Sequence, residues 1–176
     1  MSVLTANRNI NDLKPVAQTA IKLFFQECYK AGIDDIFVTE TYRSQERQNY
    51  LYAQGRTMPG KIVTWTRNSR HTSRLAWDIA VAPPKNLYDI GTLNKAGAIA
   101  RKLGITWGGD WTNKDLPHFE VTDNWKMPAG YRLEGEIIIP TSSKERVRLI
   151  KKGGDIVSNT NKPSAWAKSS WEKATK

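Results

Sequence analysis

The chain has 176 residues, 39% hydrophobic and 25% charged, with one cysteine and a formal net charge of +10. That composition belongs to a soluble globular protein and excludes wholesale disorder, an internal disulfide framework and paired-cysteine zinc sites. The basic excess, +4 over residues 1–125 and +6 over 126–176, points to an anionic partner: nucleic acid, an acidic membrane face or an anionic cell wall.

The opening "MSVLTANRNINDLKP" has no basic n-region followed by an apolar h-region, so no secretory signal is read and a cytoplasmic start is expected. No stretch reaches the ~20 apolar residues of a membrane span. Residues 12–31 place Leu13, Val16, Ala17, Ala20, Ile21, Phe24, Phe25 and Cys28 at helical spacing, with Gly32 as the stop. Cys28 lies inside this apolar stripe and is read as a buried structural thiol. "IDDIFVTETY" follows as a short strand, and Ser44 can cap a second helix, "QERQNYLYAQ", ended by Gly55. "GRTMPGKIVTWT" reads as a loop leading into another strand. "RLAWDIAVA" is a strand, "TLNKAGAIARKL" a third helix ended by Gly104, and "ITWGGDW" and "HFEVT" are short strands around a glycine turn.

Strands and helices interleave without regular βα alternation, so the expected class is α+β, with a small, mostly antiparallel sheet flanked by helices. The domain is expected to span residues 1–132. Residues 133–163, with a strand-like Ile run and then Lys, Gly, Ser, Asn and Pro, read as a linker or irregular extension. Residues 164–176, "SAWAKSSWEKATK", carry Trp166 and Trp171 on a helical composition and read as the start of a second module.

In "RLAWDIAV" a period of two puts Leu75, Trp77, Ile79 and Val81 on one face and Ala76, Asp78 and Ala80 on the other. Asp78 is therefore flanked by small residues, and a carboxylate there must be hydrated, paired or metal-bound. His71 lies seven positions earlier, so a turn within "HTSR" has to fold it back if both share an ion. The second histidine of the chain, His118, follows Pro117, which keeps Leu116 out of the helical region and leaves Asp115 on a loop. Two imidazoles and a carboxylate form a common catalytic zinc set, with a neighbouring carboxylate available as base. By residue type alone, a His with a nearby Asp is more often a surface hydrogen bond than a metal site.

Four segments in order, "TYRSQERQNYLYAQGRTMPGKIVT", "SRHTSRLAWDIAV", "GITWGGDW" and "DLPHFE", resemble the LAS metallopeptidases. The resemblance is to the phage endolysins and bacterial cell-wall enzymes that act as L-alanyl-D-glutamate peptidases. The signature S-x-H-x-x-G-x-A-x-D is met at Ser69, His71, Ala76 and Asp78, and its acidic residue three before a histidine at Asp115 and His118; about residues 8–125 are covered. The resemblance implies a hedgehog/D-Ala-D-Ala-peptidase-like fold, Zn²⁺ on His71, Asp78 and His118, and Asp115 as catalytic base. It also implies Arg43 as the residue that holds a substrate carboxylate or polarises the scissile carbonyl. Ser69 matches a position near the site, for substrate or for turn capping. Trp107 and Trp111 can line a peptide or sugar groove, with Trp111 kept as the groove residue, whereas Gln48 and Tyr50 are read as helix packing. One departure stands out: Arg74 replaces the signature glycine, which either strains the turn or adds a cation at the cleft rim.

The implied partner is bacterial peptidoglycan, acted on by a monomer without stable membrane association or nucleic acid, and reached from the host cytoplasm in the manner of a holin-released phage endolysin. The tail "SAWAKSSWEKATK" resembles the opening of a helical wall-anchoring module. The alternatives are a D-Ala-D-Ala carboxypeptidase or dipeptidase of the same superfamily and a non-hydrolytic zinc-containing wall-binding module. A nucleic-acid-binding protein fits the basicity but has no matching motif.

Overall fold

Pro15 and Gly32 bracket the first helix, α1 (Pro15–Lys30), in the computed structural model, which describes residues 2–151 and 153. Proline at the first helical position loses an N–H that had no intrahelical partner, and Gly32 takes φ +90°, the left-handed stop a glycine adopts freely. The stripe Ala17, Ile21, Phe24, Phe25 and Cys28 is wholly buried. Burial pushes the Cys28 thiol well above its ordinary pKa, so it is an inert core group, as expected.

The chain continues through β1 (Ile36–Glu40), α2 (Gln45–Ala53), β2 (Ala76–Val81), α3 (Ile90–Lys102), β3 (Thr106–Trp107) and β4 (His118–Glu120). These strands form one antiparallel sheet in the order β1-β2-β4-β3, which bears out the α+β class and the small sheet. The Ser44 cap is present, its hydroxyl accepting from the Arg47 N–H at 3.2 Å. The alternation read in β2 also holds: Trp77, Ile79 and Val81 enter the main core, while Ala80 joins Phe37 and Ala82 on the opposite face.

Phe24 of α1 ties helix to sheet, its ring 4.6 Å from Phe119 and 6.0 Å from Trp77. Burying such side chains contributes about 1.5–3 kcal/mol each, so this face carries much of the fold. On α3, Gly97 lets the Trp107 ring lie directly against the helix backbone; a Cβ there would overlap the ring. Alanine would gain about 1 kcal/mol of helix propensity but must displace a packed indole, at about 1–3 kcal/mol. Gly97→Ala is therefore expected to lower the thermal unfolding midpoint by several degrees, as calorimetry would measure.

"GRTMPGKIVTWT" is a loop, in line with the sequence reading, and its Ile62, Val63 and Trp65 are exposed. On the outer side of β1, the Val38 N–H is taken by the Pro140 carbonyl at 2.8 Å. One expectation is corrected: the core does not stop at residue 132. Strands β5 (Glu136–Ile138) and β6 (Arg148–Ile150) pair as an antiparallel hairpin against α1, and Val147 and Leu149 belong to the main core. Buried Gln26 secures the junction, donating to the Arg132 carbonyl and accepting from the Glu134 N–H, both at 2.8 Å. Strands this short, interrupted by charged residues, carry almost no periodic signal. The module read over 164–176 lies outside the described residues, as does most of the extension beyond 151.

Candidate active site

Register explains how residues far apart in the chain meet. Asp78 stands opposite Glu40 across the β1/β2 pair and opposite His118 across the β2/β4 pair. Glu40, Asp78 and His118 therefore form one row across three adjacent strands. A register shift in β1 between Val38 and Glu40 brings Glu40 into that row.

His71 arrives from a loop. Its turn closes through Arg74 N–H to the His71 carbonyl at 3.2 Å and Leu75 N–H to the Arg70 carbonyl at 3.0 Å. Arg74 takes φ +63°, so the left-handed backbone expected of the signature glycine is kept by an arginine. Its guanidinium lies 3.9 Å from the Tyr42 ring centre and donates to the Asp12 carbonyl at 2.9 Å, away from the cleft. Those contacts offset the ~1–3 kcal/mol that such a conformation costs a non-glycine residue. Of the two readings of Arg74, the strained turn is the one observed.

Both imidazoles have one nitrogen committed. His71 Nδ1 is 2.7 Å from the Thr41 carbonyl, which can only accept, so Nδ1 carries the proton. His118 Nε2 is 2.7 Å from a Glu120 carboxylate oxygen and donates to it in the same way. The remaining nitrogens, His71 Nε2 and His118 Nδ1, each lie 3.1 Å from the same Asp78 oxygen. In their neutral forms these are three lone-pair donors converging on one point, with ligand atoms all within 4.8 Å of one another. Such a convergence needs a proton or a cation, and the donor set suits a divalent metal. Burial alone would raise the Asp78 pKa, but the two imidazoles outweigh it and hold the carboxyl well below its ordinary value. Burial disfavours charged His118, yet its bonds to Asp78 and Glu120 prevail and push it up to about 10 without metal.

Glu120 was not read from the sequence, although "HFE" places it on the His118 face of the strand by the period of two. Its other oxygen lies 3.8 Å from the Arg70 guanidinium. A carboxylate on the far nitrogen fixes the tautomer and raises the basicity of the near one. Glu120→Gln keeps an acceptor but removes the charge. It is expected to weaken metal affinity about 10–100-fold, as a chelator-competition titration would measure.

Arg43 is buried beside Asp78, 3.8 Å from its second oxygen. Its terminal nitrogens donate to Glu40 at 2.6 Å and to Gln48 at 2.8 Å. Glu40 also accepts from Arg47 at 2.7 Å; burial would raise the Glu40 pKa, but the guanidiniums hold it below its ordinary value. Gln48, read as helix packing, is wholly buried and also donates to the Thr66 carbonyl at 2.6 Å, tying Arg43 to the 61–68 loop. Tyr50 is half-buried on the same helix.

Asp115 stands at the cleft mouth. Its N–H donates to the Gly108 carbonyl at 2.9 Å, and its own carbonyl accepts from the His118 N–H at 3.1 Å. A Cβ on Gly108 would overlap that carbonyl, so only glycine lets the loop fold back this far. Enclosing walls, then the negative charge of Asp78, push the Asp115 pKa upward. Ser69 caps the turn, its hydroxyl accepting from the His71 N–H at 3.2 Å, and it also lines the cleft. Trp111 leans over His118 with ring centres 5.1 Å apart, whereas Trp107 is core. All seven residues singled out beforehand, Ser69, Arg43, His71, Asp78, Trp111, Asp115 and His118, line one cleft of about 750 Å³.

A family model described as D-alanyl-D-alanine carboxypeptidase, of peptidase family M15, matches residues 63–121. The chain is 36% identical over 128 residues to the peptidoglycan L-alanyl-D-glutamate endopeptidase CwlK of Bacillus subtilis (strain 168), covering 65% of this chain and 76% of that protein. The fold is similar to the crystal structure of the L-Ala D-Glu endopeptidase ChiX of Serratia marcescens, with TM-score 0.52 and 25% identity over 69% of this chain and 89% of that one. On this sequence kinship, joined to a cleft that could hold a metal, the chain belongs to the M15 family of metallopeptidases.

Proposed function

We propose that the protein is a zinc-dependent endopeptidase that hydrolyses the bond between L-Ala and D-Glu in peptidoglycan stem peptides. The observation that carries the metal part is the meeting of His71 Nε2, His118 Nδ1 and Asp78 Oδ1, with the opposite nitrogen of each imidazole already committed. Two nitrogens and one oxygen suit zinc, with a coordination position left for solvent or substrate. When bound, the ion supplies Lewis acidity toward water and toward a carbonyl oxygen.

The chain's own groups do the rest. Asp115, at the mouth of the cleft, takes the proton of the attacking water and passes it to the departing amine. Arg43 supplies positive charge beside Asp78; with its terminal nitrogens engaged by Glu40 and Gln48, it suits field stabilisation better than a two-pronged grip on a substrate carboxylate. Ser69 holds the turn that presents His71 and, with Trp111, lines the cleft for the substrate.

The bond assignment is supported by the two relatives, both named for this cleavage. The family model's description favours a second reading, D-Ala-D-Ala carboxypeptidase. Mass spectrometry of products from purified sacculi separates them. The endopeptidase leaves L-Ala on the glycan and frees peptides beginning with D-Glu; release of D-Ala as the sole product would overturn the assignment. The same reading makes the protein a bacteriolytic enzyme of the phage endolysin type, acting as a monomer on the cell wall. Its charge of +10 suits an anionic wall. Among the described residues no helix is long and apolar enough to cross a membrane.

A further inference from the structure

Trp65 is exposed to 68% of its surface, yet it sits on a loop held from several sides. Arg56 donates to the Thr64 carbonyl at 3.1 Å and stacks over Tyr52 at 3.8 Å, with the Trp65 ring 5.8 Å from the same guanidinium. Buried Gln48 holds the Thr66 carbonyl, so the residues on either side of Trp65 are fixed. Trp65 is not exposed singly: Val63, Tyr88 and Trp111 are exposed in the same cleft, and such a grouping of water-facing apolar side chains, on a loop held in place, points to a ligand. Trp65 lines the same cleft as the metal-type residues, with Tyr88, 53% exposed, and Asn68 and Asn113 among the other lining groups. Exposed rings beside amide and hydroxyl groups match a pyranose, which offers an apolar C–H face and a rim of hydroxyls.

Stem-peptide chemistry places such a ring nearby. L-Ala is the first residue of the stem and is amide-linked to the lactyl group of the muramyl sugar, so a site that opens the L-Ala–D-Glu bond has that sugar one residue away. We propose that the cleft takes the muramyl sugar together with the peptide, and that Trp65 is the platform on which the pyranose stacks, making it a specificity-determining residue. This rests on the cleavage proposed above.

The test compares kcat/KM for a muramyl-linked stem peptide with that for the free stem peptide of the same sequence, using the full metal-loaded chain. The wild type is expected to favour the sugar-linked substrate. Trp65→Ala is expected to reduce that preference about tenfold, the effect of losing roughly 1.4 kcal/mol of contact, and Trp65→Phe to restore most of it. Equal use of both substrates by the wild type would overturn the sugar site while the proposed cleavage stands, and a preference that Trp65→Ala leaves unmoved while both are still cut would overturn the assignment of Trp65. Cleavage of neither substrate between L-Ala and D-Glu would overturn this proposal and the proposed activity together.

Discussion

Replacing Asp115 by asparagine is expected to lower kcat by about 10²–10⁴-fold, the usual contribution of a positioned general base, while the bound metal stays in place. In energy that is about 3–5 kcal/mol of transition-state stabilisation. Asparagine is nearly isosteric, and the backbone bonds of residue 115 to Gly108 and His118 do not involve the side chain. The loop should therefore keep its shape and only the proton acceptor is lost. Metal content by elemental analysis and turnover on a defined muropeptide check the two halves separately; full activity in the variant would remove Asp115 from the mechanism. The raised pKa adds a direction. A base must be ionised, so activity should fall as pH drops through a value displaced above 3.8 by enclosure and by Asp78, and pulled back by any cation bound nearby.

Chelation should abolish cleavage, and restoring the ion should bring it back, with a proton count that reports the site. In the metal-free protein His118 holds its extra proton up to about pH 10. Coordination requires the neutral imidazole, so near pH 7 each ion bound should expel about one proton from His118. Apparent affinity should then strengthen about tenfold per pH unit, levelling off as pH passes about 10. The linked stability effect has a definite sign. Because His118's folded pKa is raised above 6.5, its stabilising contribution to the metal-free fold is complete below 6.5 and is lost as pH rises toward about 10. Calorimetric titration in buffers of different ionisation enthalpy measures the proton release. Glu120→Gln, which removes the negative charge that favours the imidazolium, should move the plateau to lower pH.

Helices α1, α2 and α3 were legible because their spacing, caps and glycine stops are local properties, and Ser44 and Gly32 act as a local rule predicts. The alternation of β2 was legible for the same reason. The hairpin of β5 and β6 went unread because each strand is only three residues long and gains its stability from α1 rather than from its own pattern. Glu40 and Glu120 escaped notice, and Gln48 was read only as helix packing, because nothing in residue type separates a carboxylate or amide that orients a neighbour from one that merely packs or meets solvent.

What the sequence determined by itself was the set of chemically capable groups: two histidines to be used, an aspartate set among alanines, and an acidic residue three before the second histidine. Which nitrogen of each ring is free, and that one carboxylate oxygen stands 3.1 Å from both, was decided only by tertiary structure. The physical reason is register. Sheet pairing sets Asp78 opposite His118, a left-handed Arg74 folds His71 back, and neither cross-strand alignment nor a turn's handedness is encoded in residue spacing along the chain.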